Sequence, residues 1–112
     1  MQLLLIVLNK TEKLEALLEE LMENGISGAT ILNSTGMLRE LAKNNEDLPI
    51  FGSLRYIIDL DRKESKTIFM VLKEEQIAKA KTIIKSVIGD LKKPDTAVMF
   101  TLPISSAEGI GY

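Results

Sequence analysis

Asp59 and Asp61 stand two residues apart, so on an extended strand they share one face, as a metal-binding or acid–base pair would. Nothing nearby offers further ligands, and the plainer expectation is a strand end entering solvent. The chain has no histidine and no cysteine. It therefore lacks the usual general base and the commonest transition-metal ligands. Serine–histidine and cysteine–histidine nucleophilic pairs are excluded within one chain, as are disulfides. Phosphate-loop, dinucleotide and zinc spacings are absent, and Gly25 with Gly28 does not make a GxGxxG. Glu12, Glu15, Glu19, Glu20 and Glu23 read as the solvated side of an amphipathic helix rather than as carboxylate ligands. No metal site and no catalytic residue is expected.

At 112 residues the chain is expected to form a single domain with one modest core. Fourteen basic and sixteen acidic residues leave a net charge of −2, too little positive charge to hold nucleic acid through its phosphates. Leu3 to Leu8 is a short apolar run that suits a central strand. No targeting signal is read in it, so the expected location is the cytoplasm. Asn9 and Glu12 have capping-box spacing and predict a helix start. Leu14, Leu17, Leu18, Leu21 and Met22 form its apolar stripe, and Asn24-Gly25 its exit. A second strand is predicted over Gly28–Thr35, with Ala29, Ile31, Asn33 and Thr35 on one face. From Met37 to about Leu54 the pattern lapses, apart from a short helical turn over Leu38–Ala42. Leu54–Leu60 and Thr67–Leu72 read as one strand with an irregular middle. Ile77, Ala80, Ile84, Val87 and Ile88 mark a second helix closed by Gly89. Lys92-Lys93-Pro94-Asp95 is a turn, Ala97–Leu102 the last strand, and about 103–112 a tail. Met22, Met37, Met70 and Met99 are expected to fill the core.

The order strand, helix, strand, long loop, strand, helix, strand is a split βαβ duplication. It predicts an α+β, ferredoxin-like fold: an antiparallel four-stranded sheet with both helices on one face. The other face would need a partner, most simply another copy of the chain.

The segment Gly25 to Arg39 reads Gly-Ile-Ser-Gly-Ala-Thr-Ile-Leu-Asn-Ser-Thr-Gly-Met-Leu-Arg. It resembles the PII nitrogen-regulatory family, whose second strand runs roughly G-I-x-G-M-T-V-x-x-V-x-G-F-G-R before a long loop, the T-loop. Gly25, Ile26, Gly28, Thr30, Gly36 and Arg39 fall in register without a gap. Leu5 to Lys10 sits where the family has a strand ending in a lysine-proline pair. Tyr56-Ile57-Ile58-Asp59 resembles its Y-V-V-D. Val71–Ile88 and Val98-Met99-Phe100 correspond to its second helix unit and last strand. The resemblance covers nearly the whole chain, making residues 1–112 one PII-like domain with about 37–54 as a mobile T-loop-like segment.

The resemblance implies a non-enzymatic signalling regulator: a homotrimer that binds ATP, ADP, AMP or a related adenine nucleotide in the clefts between subunits. It would act through the T-loop on a target enzyme or membrane transporter. Carried over residue by residue, Gly28, Ala29 and Thr30 would lie along adenine and ribose. Gly36, Met37, Leu38 and Arg39 would lie at the T-loop base near the phosphates, with Asp95 in the phosphate-wrapping B-loop. Threonine can read an adenine edge, glycine admits close backbone approach, and a guanidinium pairs with phosphate oxygens. Tyr56 occupies approximately the place of a tyrosine that some family members carry as a modification site, though its flanks differ.

Three departures alter the expected ligand site. Leu38 replaces a family glycine, although Thr35-Gly36-Met37-Leu38-Arg39 is similar to the T-G-G-F-L-R of PII-like cyclic-dinucleotide receptors. The B-loop G-D-G-K becomes Pro94-Asp95-Thr96-Ala97, with Lys92 or Lys93 as the nearest replacement cations. The family's C-terminal I-R-I-R becomes Ile104-Ser105-Ser106-Ala107. Each lost charge-assisted hydrogen bond is worth roughly 1.5–3 kcal/mol, so ordinary tight ATP binding is not expected. The alternative is a CutA-like or purely structural trimer without nucleotide. An acylphosphatase-like enzyme would need an arginine-bearing loop after the first strand, where this chain has Asn9-Lys10-Thr11.

Overall fold

The computed structural model of the chain describes residues 1–44 and 64–110. Strand β1 spans Gln2–Leu8, a 3-10 turn Thr11–Lys13 and helix α1 Leu14–Glu23. Strand β2 covers Thr30–Ser34, helix α2 Met37–Asn44 and strand β3 Ser65–Leu72. Helix α3, Glu74–Ile88, and strand β4, Ala97–Pro103, complete the order. The sheet runs β2-β3-β1-β4, with every neighbouring pair antiparallel. This is the expected α+β, ferredoxin-like arrangement. The uninterrupted apolar run of β1 places it inside the sheet, paired on both edges, with Leu5 opposite Phe69 on one side and Phe100 on the other.

Strand side chains alternate between faces, and one face is dry. Leu4, Ile6 and Leu8 of β1, Ile68, Met70 and Leu72 of β3, and Ala97 of β4 are buried on it. They cluster with Leu17 and Leu21 of α1 and with Ile77, Ala80, Ile83, Ile84 and Ile88 of α3. Each fully buried leucine or isoleucine contributes roughly 1.5–3 kcal/mol relative to exposure, so this one-sided layer is what holds the helices down. Gly25 ends α1 at φ +82 and Gly89 ends α3 at φ +98, backbone conformations that a side chain would strain.

Several details differ from expectation. The N-cap of α1 falls on Lys13 rather than Asn9, because a 3-10 turn that begins after Lys10 precedes the helix. The backbone N–H groups of Asn9 and Lys10 both donate to the Thr96 carbonyl, at 2.9 and 3.1 Å, so tertiary contact fixes that corner. Strand β2 is shorter than Gly28–Thr35, since its ladder to β3 pairs only Thr30 through Ser34. The turn expected over Leu38–Ala42 is an eight-residue helix. Met70 is buried, but Met22 is 64% and Met37 77% exposed, so neither fills the core. Met22 lies on the flank of α1 above edge strand β2, and no described residue closes over it. Leu54–Leu60, with Tyr56, Asp59 and Asp61, lies outside the described residues.

Candidate functional site

The residues expected to bind a ligand follow one edge of the sheet. Gly28 and Ala29 precede β2, Thr30 opens it, and Gly36 to Arg39 follow its far end. Five strand residues at about 3.3 Å each separate the two groups by roughly 16 Å. A ligand much shorter than this cannot touch both on a single chain, so the expected set falls into two groups. Added Cβ atoms at Gly28 and Gly36 would meet nothing within 4 Å, and neither glycine has a positive φ. The chain's own packing therefore does not require glycine at either position. The Gly36 carbonyl accepts the Glu40 N–H at 3.0 Å and so starts α2.

Hydroxyls anchor the exit of β2. Ser34 pairs across the ladder with Ser65. The Thr67 hydroxyl donates to Ser34 Oγ at 2.7 Å, Ser34 and Ser65 Oγ lie 2.8 Å apart, and Ser65 Oγ donates to the Ser34 carbonyl at 3.1 Å. One proton order satisfies all three: Thr67 to Ser34, Ser34 to Ser65, Ser65 to the carbonyl. Lys66 Nζ also donates to Asn33 Oδ1. The sequence signal for this cluster, hydroxyl residues bracketing a loop, was too generic to single out.

Asp95 lies at the same end of the sheet as Gly36, but beside the opposite edge strand, β4. Its φ of 58 gives it a backbone reason to be aspartate, one of the few side chains that tolerates this conformation. The next residue, Thr96, is buried and donates to the carbonyls of Lys93 at 2.8 Å and Leu91 at 3.3 Å. The loop before β4 is thus braced by its own hydrogen bonds. Beside it, Lys85, Gly89, Asp90, Leu91 and Lys92 line an open concavity of about 510 Å³. Lys10 Nζ approaches the Ile88 carbonyl at 3.4 Å. This is the carbonyl end of α3, whose partial negative charge opposes a phosphate and favours these lysines.

The broadest feature is the sheet face on which no described helix packs. Leu3, Leu5 and Val7 of β1 are flanked by Val98, Phe100 and Leu102 of β4 and by Phe69 and Val71 of β3. Leu32 extends the patch onto β2 beside Thr67. Phe100 and Leu32 are each 51% exposed, and Val98 and Leu102 nearly as much. A contiguous apolar face of this kind is unusual on a monomer. Among the described residues no group of three or more acidic residues could hold a metal ion. No helix among them is long and apolar enough to cross a membrane.

No family model and no curated protein matches the chain. Among solved structures it is similar to the crystal structure of a functionally unknown protein from Pediococcus pentosaceus ATCC 25745, with a TM-score of 0.63. That likeness covers 97% of this chain and 96% of the other at 15% sequence identity. At this identity it shows a shared fold running the length of both chains.

Proposed function

We propose that the chain is a non-enzymatic, PII-like regulatory subunit that forms a homotrimer through its open sheet face. It senses an adenine-containing nucleotide in the clefts between copies and signals to a target protein through the segment after β2. The observation that carries the assembly is the apolar face built from β1, β3 and β4, half exposed along β4 and partly exposed on β1 and β3. Burying it against copies of itself removes apolar area from water at roughly 25 cal/mol per Å². The split of Gly28–Thr30 from Gly36–Arg39 supports the same reading, because a cleft between copies can combine residues that one chain holds apart. The ligand class rests on the resemblance of the Gly25–Arg39 segment to the PII family.

Sedimentation equilibrium of the purified chain is expected to give three times its mass of 12.4 kDa. Calorimetric titration with ATP, ADP, AMP and cyclic dinucleotides is expected to show binding by at least one of them. A trimer that binds none of the four leaves the assembly standing and removes the nucleotide.

The second reading, a CutA-like or structural trimer without nucleotide, is favoured by one observation. The loop that corresponds to a phosphate-wrapping loop is tied to its own carbonyls through Thr96, beside the carbonyl end of α3. An adenine ligand with little phosphate charge reconciles this loop with the first reading.

A further inference from the structure

Strand β4 is an outer strand of the sheet, paired with β1 alone among the described residues. Natural sheets keep their outer strands from pairing by charge, proline, a bulge or shortness. Over most of its length β4 has none of these. Ala97-Val98-Met99-Phe100-Thr101-Leu102 carries no charge, and proline comes only at the end, as Pro103. Its register against β1 runs unbroken from Ala97 to Pro103, so no bulge bends it away. The opposite outer strand, β2, has five residues to the seven of β4, and its Asn33 stands opposite Lys66.

Two hydrogen bonds just beyond the ladder show which way the backbone of β4 faces. The Asn9 N–H donates to the Thr96 carbonyl at 2.9 Å and the Ile104 N–H to the Met1 carbonyl at 3.4 Å. Both continue the β1–β4 register. Hydrogen-bonded pairs alternate along an antiparallel ladder, so Val98, Phe100 and Leu102 turn their N–H and C=O groups toward β1. Ala97, Met99 and Thr101 turn theirs outward, toward no strand among the described residues, and Pro103 adds a carbonyl alone. Beside this row the side chains of Val98, Phe100 and Leu102 are about half exposed. A fitting occupant is an antiparallel strand with an apolar residue at every second position on the same face.

A second β4 meets each of these terms. We propose that β4 pairs antiparallel with β4 of another copy, Phe100 opposite Phe100, joining two sheets into one of eight strands. In this register all seven residues are paired. Met99 and Thr101 of opposite copies exchange both hydrogen bonds, and Ala97 donates to the Pro103 carbonyl. Each of the three outward N–H groups thereby finds an acceptor. Val98 lies opposite Leu102, which carries the apolar face across the join. The shorter β2 leaves part of the row unpaired. The two-fold axis stands normal to the sheet, so both open faces stay on one side. Edge pairing goes beyond the trimer reading and does not depend on it. Where both form, two trimers join into a D3 assembly of six copies. One strand pair is a small contact, below the roughly 1,200 Å² of a stable interface, so the pairing gathers as concentration rises.

The chain has no cysteine, so introduced cysteines report the register directly. One tagged version carries Val98→Cys and a differently tagged one Leu102→Cys; both side chains are half exposed and outside the core. Opposed positions between the hydrogen-bonded pairs lie within disulfide reach. After mixing and oxidation, a disulfide joining the two tags is expected, several-fold more abundant than Val98→Cys linked to itself. Sedimentation of the unaltered chain over rising concentration is expected to move from three copies to six. Thr101→Pro removes an outward N–H and keeps the bonds to β1. It is expected to abolish the mixed disulfide and hold the mass at three copies, whereas Thr101→Val, which retains the N–H, changes neither. A mass fixed at three copies without the mixed disulfide overturns edge pairing and leaves the trimer. A rise from one copy to two, with the disulfide, keeps edge pairing and removes the trimer. One copy at every concentration overturns both. A mixed disulfide and a mass of six that survive Thr101→Pro also overturn the strand pairing, by placing the contact elsewhere. Should Thr101→Pro not fold, the yield of the mixed disulfide over the Val98 self-link decides alone.

Discussion

Three glycines close in sequence have different physical standing. Gly25 sits at φ +82, where a Cβ is strained whatever the space around it. Gly28 and Gly36 have open space and no such φ. Gly25→Ala is therefore expected to lower stability by about 1 kcal/mol. Gly28→Ala is expected to be neutral or slightly stabilising, because it restricts the unfolded chain. Chemical denaturation of the two variants measures the difference, and a Gly28→Ala loss as large as that of Gly25→Ala would show a packing constraint that the single chain does not contain. Both glycines were legible in the sequence as punctuation, but which one the backbone demands was not. That depends on a dihedral angle fixed by the last turn of α1.

Among the elements, the hairpin-like pairing of β2 with β3 depends on few contacts. Strand β2 has five residues, mostly exposed, at the sheet edge. The Ser34–Ser65–Thr67 hydroxyls fasten its exit, directly before α2. Ser34→Ala removes the middle hydroxyl of that chain and is expected to cost about 1 kcal/mol, the net value of a typical hydrogen bond. Hydrogen exchange should show the loss concentrated in the amides of β2, and uniform loss across β1 and α3 would contradict this assignment. The elements themselves were largely readable. The apolar stripe of α3 was found except for Ile83, and β1 and β4 fall within a residue of their expected bounds. Helix α2 was read as a shorter turn because an apolar row of Met37, Leu38 and Leu41 with no second turn beyond it gives only a weak period.

For the whole molecule the open sheet face dominates. Phe100 is half exposed on its β4 edge, opposite Leu5, and contributes little to the core on the other side of the sheet. Phe100→Glu should leave a folded chain but place a charge where copies would meet, a change costly to bury without a partner. Sedimentation is expected to shift to the mass of one chain, with far-ultraviolet circular dichroism unchanged. An unaltered oligomer would move the interface off this face. The same variant tests whether the split ligand set needs two copies, because nucleotide binding should disappear with assembly.

The sequence by itself determined the four strands and the two core-packing helices, the helix-facing core positions and the apolar character of the second sheet face. These follow from periodicity, which is a local property of the chain. Tertiary structure decided the rest. It put Gly28–Thr30 and Gly36–Arg39 at opposite ends of an edge strand, a separation set by strand rise that the in-register motif conceals. It braced the loop before β4 by tying the Leu91 and Lys93 carbonyls to the hydroxyl of buried Thr96. It also left Met22 and Met37 in solvent, because apolar character says only that a side chain gains from burial, while the position of its neighbours decides whether anything buries it.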